Sequence, residues 1–355
     1  MKAVPIVGRG LACALGLDVA ESVATLRAGG RPAGSHQLPG GMGGGFPYFS
    51  IPFEGHGWYQ RARELVTRVA AEAGAQSGCK GALFLATSSF DVGAVESGVD
   101  GAAVGDYRPF IDAVTGWLDW AGPVHAISTA CTSSLNALIA AQALLNSGAV
   151  DEALVLGIEL ENRLTLGGFA ALQLLSRTIS KPFGAGRDGL VLGESVAALR
   201  LAAQGDSAWR LLGGANVVDG TNPTGASESA LGSMFAQALA ASGLAADQID
   251  LVKVQAAGSP GNDLAEARAL RAAFDPVPAL VSLKSTIGHT MGASGAAEIA
   301  LLTACLENGA WPDPADAADP ELGVRLAKAP PPVRRLLATI LGFGGSHAAV
   351  ALERT

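Results

Sequence analysis

Six short runs of largely apolar residues, at 82–87, 153–157, 196–201, 251–254, 279–283 and 337–341, set the terms for any fold this chain can adopt. Strands that read as near-continuous hydrophobic runs are covered on both faces, as in a sheet with helices on each side. The segments between the runs are long enough for helices. Over 131–147, Leu135, Leu138, Ile139, Gln142 and Leu145 fall on one helical face, and Gly148 follows as a stop signal. Strands alternating with helices predict an α/β architecture with mainly parallel pairing. Only 16% of the 355 residues are charged, against ~25% in ordinary soluble domains. So little polar surface predicts a large buried interior and an obligate subunit interface.

A strand-turn-helix unit recurs. Val124-His125-Ala126-Ile127-Ser128-Thr129 leads into a helix that ends near Leu145-Asn146-Ser147-Gly148-Ala149. Ala279-Leu280-Val281-Ser282-Leu283-Lys284 leads into one that ends near Leu306-Glu307-Asn308-Gly309-Ala310. Two such units suit a fold built from two related halves, 1–205 and 206–355. Residues 30–57, with the run Gly40-Gly41-Met42-Gly43-Gly44-Gly45, read as a loop excursion. No Lys-Ser/Thr follows the glycines, so they do not make a phosphate loop.

The formal net charge of −8 argues against nucleic acid as a partner. The four cysteines, Cys13, Cys79, Cys131 and Cys305, lie far apart without a CxxC pair, which predicts no disulfide framework, no metal site and a reducing cytoplasmic setting. The opening residues lack the long apolar stretch of an export signal. The most apolar later run, 135–145, contains Asn136 and Gln142 and is too short to span a bilayer.

Thr129-Ala130-Cys131-Thr132-Ser133-Ser134-Leu135 sets a cysteine between a predicted strand and a predicted helix. At a helix N-terminus the free N–H groups and the macrodipole favour the thiolate, the nucleophilic form. The same spacing also suits a small buried hydrophobe. Four further motifs bear on the choice. They are Val4-Pro5-Ile6-Val7-Gly8-Arg9-Gly10, Lys181-Pro182-Phe183-Gly184-Ala185-Gly186-Arg187-Asp188-Gly189-Leu190-Val191-Leu192-Gly193-Glu194, Ser282-Leu283-Lys284-Ser285-Thr286-Ile287-Gly288-His289-Thr290-Met291-Gly292, and Leu341-Gly342-Phe343-Gly344-Gly345-Ser346-His347-Ala348. Together, and in this order, the five resemble the opening strand, nucleophile turn, RPFDxxRDG segment, KSxxGHxxGA motif and closing GFGGTNA turn of the β-ketoacyl synthases.

The resemblance implies a thiolase-like five-layer αβαβα fold, with two central helices between mixed sheets and Cys131 beginning one of them. It implies no cofactor and, as partners, an acyl carrier protein and a second ketosynthase chain in a homodimer or heterodimer. Cys131 would accept an acyl chain from a carrier-protein thioester. The backbone N–H groups of Cys131 and Phe343 would form the oxyanion hole, with Gly344 beside Phe343 in a gating turn. His289 would donate to a malonyl thioester carbonyl, and Lys284, paired with Glu298, would organise the site.

One departure stands out. In Val252-Lys253-Val254-Gln255-Ala256-Ala257-Gly258-Ser259-Pro260-Gly261-Asn262-Asp263, Gln255 replaces the family's second catalytic histidine. Its amide N–H can still donate, but it cannot accept a proton or carry charge. Smaller departures are Gly184 for Asp, Ser195 for Gly and His347 for Asn, the last able in principle to replace a lost imidazole. Family motifs are absent from residues 30–120. Three readings follow: a condensing enzyme that extends acyl-Cys131 with a malonyl unit, a non-elongating chain-length-factor-like partner subunit, and an acyltransferase or non-decarboxylating condensing enzyme. The loss of histidine favours the second; the presence of Cys131 counts against it.

Overall fold

A computed structural model describes residues 2–38, 44–55, 57–99, 105–314 and 317–355. Its strands, in chain order, are β1 (Val4–Cys13), β2 (Gly34–Gln37), β3 (Gly45–Phe49), β4 (Ala82–Ala86), β5 (Val124–Ile127), β6 (Glu152–Glu159), β7 (Leu192–Gly193), β8 (Ser195–Ala202), β9 (Trp209–Val218), β10 (Leu251–Lys253), β11 (Ala279–Val281), β12 (Arg335–Leu341) and β13 (Ser346–Arg354). The α-helices are α1 (Val19–Arg27), α2 (Trp58–Glu72), α3 (Val92–Glu96), α4 (Arg108–Trp117), α5 (Ser133–Asn146), α6 (Arg163–Ala171), α7 (Glu228–Ser242), α8 (Pro260–Ala273), α9 (Lys284–Ile287) and α10 (Ser294–Asn308).

Ten strands run in the order β11-β10-β12-β13-β9-β1-β8-β6-β4-β5. From the centre outward, the two groups of five share one plan. β1 is antiparallel to β8 and β8 to β6, after which β6, β4 and β5 are parallel. β9 repeats this, antiparallel to β13 and β13 to β12, after which β12, β10 and β11 are parallel. The chain passes from the first group to the second between β8 and β9. Mainly parallel pairing was the expectation, and it is corrected: each group is half antiparallel. Residues 342–345 alone connect β12 to β13, and so short a connection only joins antiparallel neighbours. The expected two sheets are also linked, because Val4, Pro5 and Ile6 pair with Leu211, Arg210 and Trp209 to make one continuous ladder.

Side chains alternate across each strand, and the alternation builds the layers. Ala82, Phe84 and Ala86 of β4 face a central apolar cluster, while Leu83 and Leu85 face an outer one with Leu65, Val66 and Val69 of α2. In β12, Leu336, Ala338 and Ile340 face the same centre, while Leu337 and Leu341 face a second outer cluster with Met234 and Phe235 of α7 and Leu270 of α8. The centre is filled by α5 and α10, which touch strands of both groups. Every residue of α10 from Ser294 to Cys305 is buried. A helix apolar on all sides belongs inside, not on a surface. Two outer helical layers, two five-stranded units and this central pair make five layers.

The 30–57 excursion is more ordered than expected, since β2 and β3 form a small sheet with β7; of its glycine run, Gly40, Gly41 and Gly43 lie outside the described residues. Among the described residues no helix is long and apolar enough to cross a membrane.

The turns that open α5 and α10 have matching forms. Before α5, Ala130 takes a left-handed φ of 51°, Cys131 follows, and Thr132 is the N-cap. Before α10, Met291 takes a φ of 41°, Gly292 follows, and Ala293 is the N-cap. A Cβ at Gly292 would stand 2.7 Å from both Glu159 Oε1 and the Ser88 nitrogen. The buried Glu159 carboxylate accepts from the Ser88 and Gly292 backbone N–H groups and from the Ser89 hydroxyl at 2.6 Å.

Candidate active site

The cysteine turn is braced by its own hydroxyls. Thr129 N–H donates to Ser133 Oγ (2.9 Å), Ser133 Oγ–H to the Ala130 carbonyl (2.6 Å), and Thr132 Oγ1–H to the Thr129 carbonyl (2.7 Å). This explains the run of Thr and Ser around Cys131: they hold Ala130 in a conformation that residues with a Cβ rarely adopt. α5 begins at Ser133, so Cys131 precedes the helix instead of starting it. The expectation of a favoured thiolate is also corrected. Burial pushes the thiol up to about 11, and the Glu159 charge adds to this. The Lys284 charge and the backbone N–H groups of Phe343 and Cys131 oppose it without overcoming it.

His289 Nε2 lies 3.0 Å from Cys131 Sγ. Its Nδ1 lies 3.0 Å from Lys284 Nζ, which has only protons to give. Nδ1 is therefore the acceptor, and Nε2–H points at the sulfur. Burial, then the Lys284 and Lys253 charges, hold the imidazole well below its ordinary pKa, so it is neutral. As positioned, His289 is a hydrogen-bond donor and not a base.

Lys284 forms a buried ion pair with Glu298 Oε1. Glu298 Oε2 accepts from a second lysine, Lys253, at 2.6 Å, and Lys253 also donates to the Thr339 carbonyl at 2.6 Å. Two buried ammonium groups thus share one carboxylate, leaving excess positive charge near the sulfur. The motifs did not single out Lys253 or Glu159. A lysine inside a doubly covered strand was nonetheless a visible signal, since it must find a buried counter-charge.

Gln255 reaches the same cavity, and its backbone N–H and that of Ala256 are held by Glu266 at 2.8 and 2.7 Å. Its side chain departs from expectation: Oε1 is buried without a protein partner. Phe343 lies on the turn between β12 and β13, its ring stacked on Phe169 at 5.1 Å and 14°. Gly345 closes that turn with a φ of 74°, and a Cβ there would lie 1.9 Å from the Asp219 carbonyl oxygen. Cys131, Gln255, His289, Phe343 and His347 line one cavity of about 30 Å³. That is room for one or two water molecules and not for an acyl chain. A larger open groove of about 880 Å³, along 277–280 and 318–328, contains none of these residues.

Residues 112–206 match the β-ketoacyl synthase N-terminal domain and residues 212–317 the C-terminal domain, together more than half of the chain. The chain belongs to the β-ketoacyl synthase family. A 3-oxoacyl-[acyl-carrier-protein] synthase 2 of Mycobacterium tuberculosis is 30% identical over 258 residues, covering 66% of this chain and 61% of that protein. The synthase 2 of Coxiella burnetii is 28% identical over 260 residues, covering 66% and 63%. The chloroplastic synthase II of Arabidopsis thaliana is 29% identical, and the match spans 48% of its length. The chain thus spans about half to three fifths of these relatives. Solved structures extend the likeness of fold to the whole ketosynthase-like chain. A β-ketoacyl synthase from Burkholderia phymatum superposes with a TM-score of 0.83 at 22% identity over 100% of both chains. A ketosynthase from Xenorhabdus doucetiae in complex with its chain length factor gives 0.79 at 23% identity over 100% and 98%. The fold is thiolase-like, as the motifs implied.

Proposed function

We propose that this protein is a ketosynthase-like condensing enzyme, an acyltransferase that forms an acyl-Cys131 thioester and extends it with a malonyl-carrier-protein unit. The observation that carries the reading is the 3.0 Å contact between Cys131 Sγ and the Nε2–H of a neutral His289. In the first step the Cys131 sulfur attacks the donor thioester carbonyl, the Cys131 and Phe343 N–H groups hold the oxyanion, and its collapse breaks the donor C–S bond, so that the carrier-protein thiol leaves with the proton given up by Cys131. In the second, loss of carbon dioxide from a malonyl thioester leaves an enolate, and His289 donates to its oxygen. The enolate carbon then attacks the acyl carbonyl and the Cys131 thiolate leaves. Lys284 and Glu298 fix the His289 tautomer and supply positive potential. Phe343 and Gly344 form the gate. We assign residues 1–205 and 206–355 to two halves that contribute Cys131 and His289 respectively. The partners of this reading are an acyl carrier protein and a second ketosynthase chain, and a reducing cytoplasm suits its free thiol.

The partner-subunit reading is favoured by one observation: Gln255 stands where the family has histidine. The two separate on Cys131→Ala. The condensing reading requires acyl loading, read by intact mass, to disappear together with product formation. Activity of an assembled complex that survives Cys131→Ala would establish the partner role instead.

A further inference from the structure

At the Cys131 cavity Oε1 of Gln255 and both ring nitrogens of His347 lack a well-formed hydrogen bond, although the Ser346 carbonyl lies close enough to the His347 ring to favour its protonated form. His347 is 1% exposed and Gln255 7%. Buried polar groups are nearly always hydrogen-bonded, so orphans that face one cavity indicate what the cavity is built to hold. Of the two, Gln255 carries amide N–H donors but also an orphaned oxygen, which repels the oxygen of a carbonyl or an enolate. His347, neutral or charged, carries at least one N–H. It offers an imidazole donor of the same kind as the Nε2–H of His289.

Its mounting is equally specific. His347 pairs in register with Leu341 across the turn that supplies the Phe343 N–H. Gly342 N–H closes that turn on the Ser346 carbonyl at 2.7 Å. Ser346 Oγ lies 2.8 Å from Thr132 Oγ1, which ties the residue before His347 to the residue after Cys131. The imidazole and half of the oxyanion hole thus ride on one braced segment.

We propose that His347 is the second imidazole of this site, donating its N–H to the thioester carbonyl of a malonyl-type extender and replacing the histidine lost at Gln255. The inference rests on the condensing reading. When the carboxylate leaves as carbon dioxide, the C–C bonding pair passes to the α-carbon and is delocalised onto the thioester oxygen. That oxygen then accepts from His289 Nε2–H and from His347.

The test uses the full-length protein, with malonyl-CoA as the decarboxylation probe and an octanoyl thioester of N-acetylcysteamine as the loading probe. His347→Asn, which installs the family's usual residue, should lower kcat for carbon dioxide release about a hundredfold, the effect of removing one preorganised donor. KM and acyl loading should stay within about twofold, because the donor acts on the developing charge and not on Cys131. Adding Gln255→His to His347→Asn should restore release, since the imidazole is then back in the family position. A merely structural role for His347 would not be rescued that way. If His347→Asn fails to fold, His347→Gln serves the same comparison, with release kept above that of His347→Ala. Release by a folded His347→Asn at the wild-type rate, or no rescue by Gln255→His, overturns this inference alone. A wild-type protein that loads Cys131 and releases no carbon dioxide overturns the condensing reading, and this inference with it.

Discussion

Replacing Lys253 with methionine should make the protein more stable. Removing one member of a buried ion pair normally destabilises, because it strands the other charge. Here the opposite holds, because Glu298 also pairs with Lys284, and that pair is left neutral. Burial, with the repulsion of Lys284 behind it, pulls the Lys253 ammonium down to about 8 from its ordinary 10.5, against the attraction of Glu298. That difference corresponds to about 3 kcal/mol spent on keeping the group charged at pH 7. The Thr339 carbonyl loses a donor, which returns about 1 kcal/mol of the gain. Methionine fills a similar volume, so the net expectation is about 2 kcal/mol of added stability and a Tm higher by about 3 °C. A pH series makes the reasoning sharper. The folded form releases this proton near 8 and the unfolded form near 10.5, so between them the unfolded chain binds more protons. Wild-type stability should therefore rise with pH across that window, and Lys253→Met should lack the rise. Scanning calorimetry and urea unfolding from pH 7 to 10 give both quantities. A Lys253→Met protein that is less stable than wild type at pH 7, or that shows the same alkaline rise, would refute the argument.

Two further outcomes follow from the site's supports. Burial pushes Glu266 up to about 7 from its ordinary 4.5, so the folded chain binds the extra proton between those values and stability should fall as pH rises from 4.5 to 7, by about 3 kcal/mol from this group; urea titrations should show a shallower fall in Glu266→Gln. Gly345→Ala places a Cβ against the Asp219 carbonyl at a φ of 74°, which should cost more than about 2 kcal/mol in urea unfolding and slow acyl loading by shifting the Phe343 N–H.

The apolar runs and motif order made the fold and most of the site legible. Cys131, His289 and Lys284 each sit in a motif whose small or hydroxyl neighbours serve the turn that carries them. What escaped depended on distances between remote segments. The position of Cys131 before a helix suggested a thiolate, but burial of the thiol decides its proton, and no local pattern encodes that burial. Lys253 was legible as a misplaced charge, yet its sharing of Glu298 with Lys284 needed β10, α9 and α10 assembled. The antiparallel half of each strand group was hidden for a similar reason. Apolar runs report burial on both faces and carry no information on strand direction.

The matched turns before α5 and α10 differ in what they leave open. Where the first half offers a sulfur, the second has Gly292, and a side chain there would collide with Glu159. The two backbone N–H groups at that position are already engaged by the Glu159 carboxylate, as a substrate oxyanion would be engaged beside Cys131. The second half keeps the shape of the cysteine turn but fills the place of its side chain with the Glu159 carboxyl group. The turn without a sulfur has become part of the wall packed against α5.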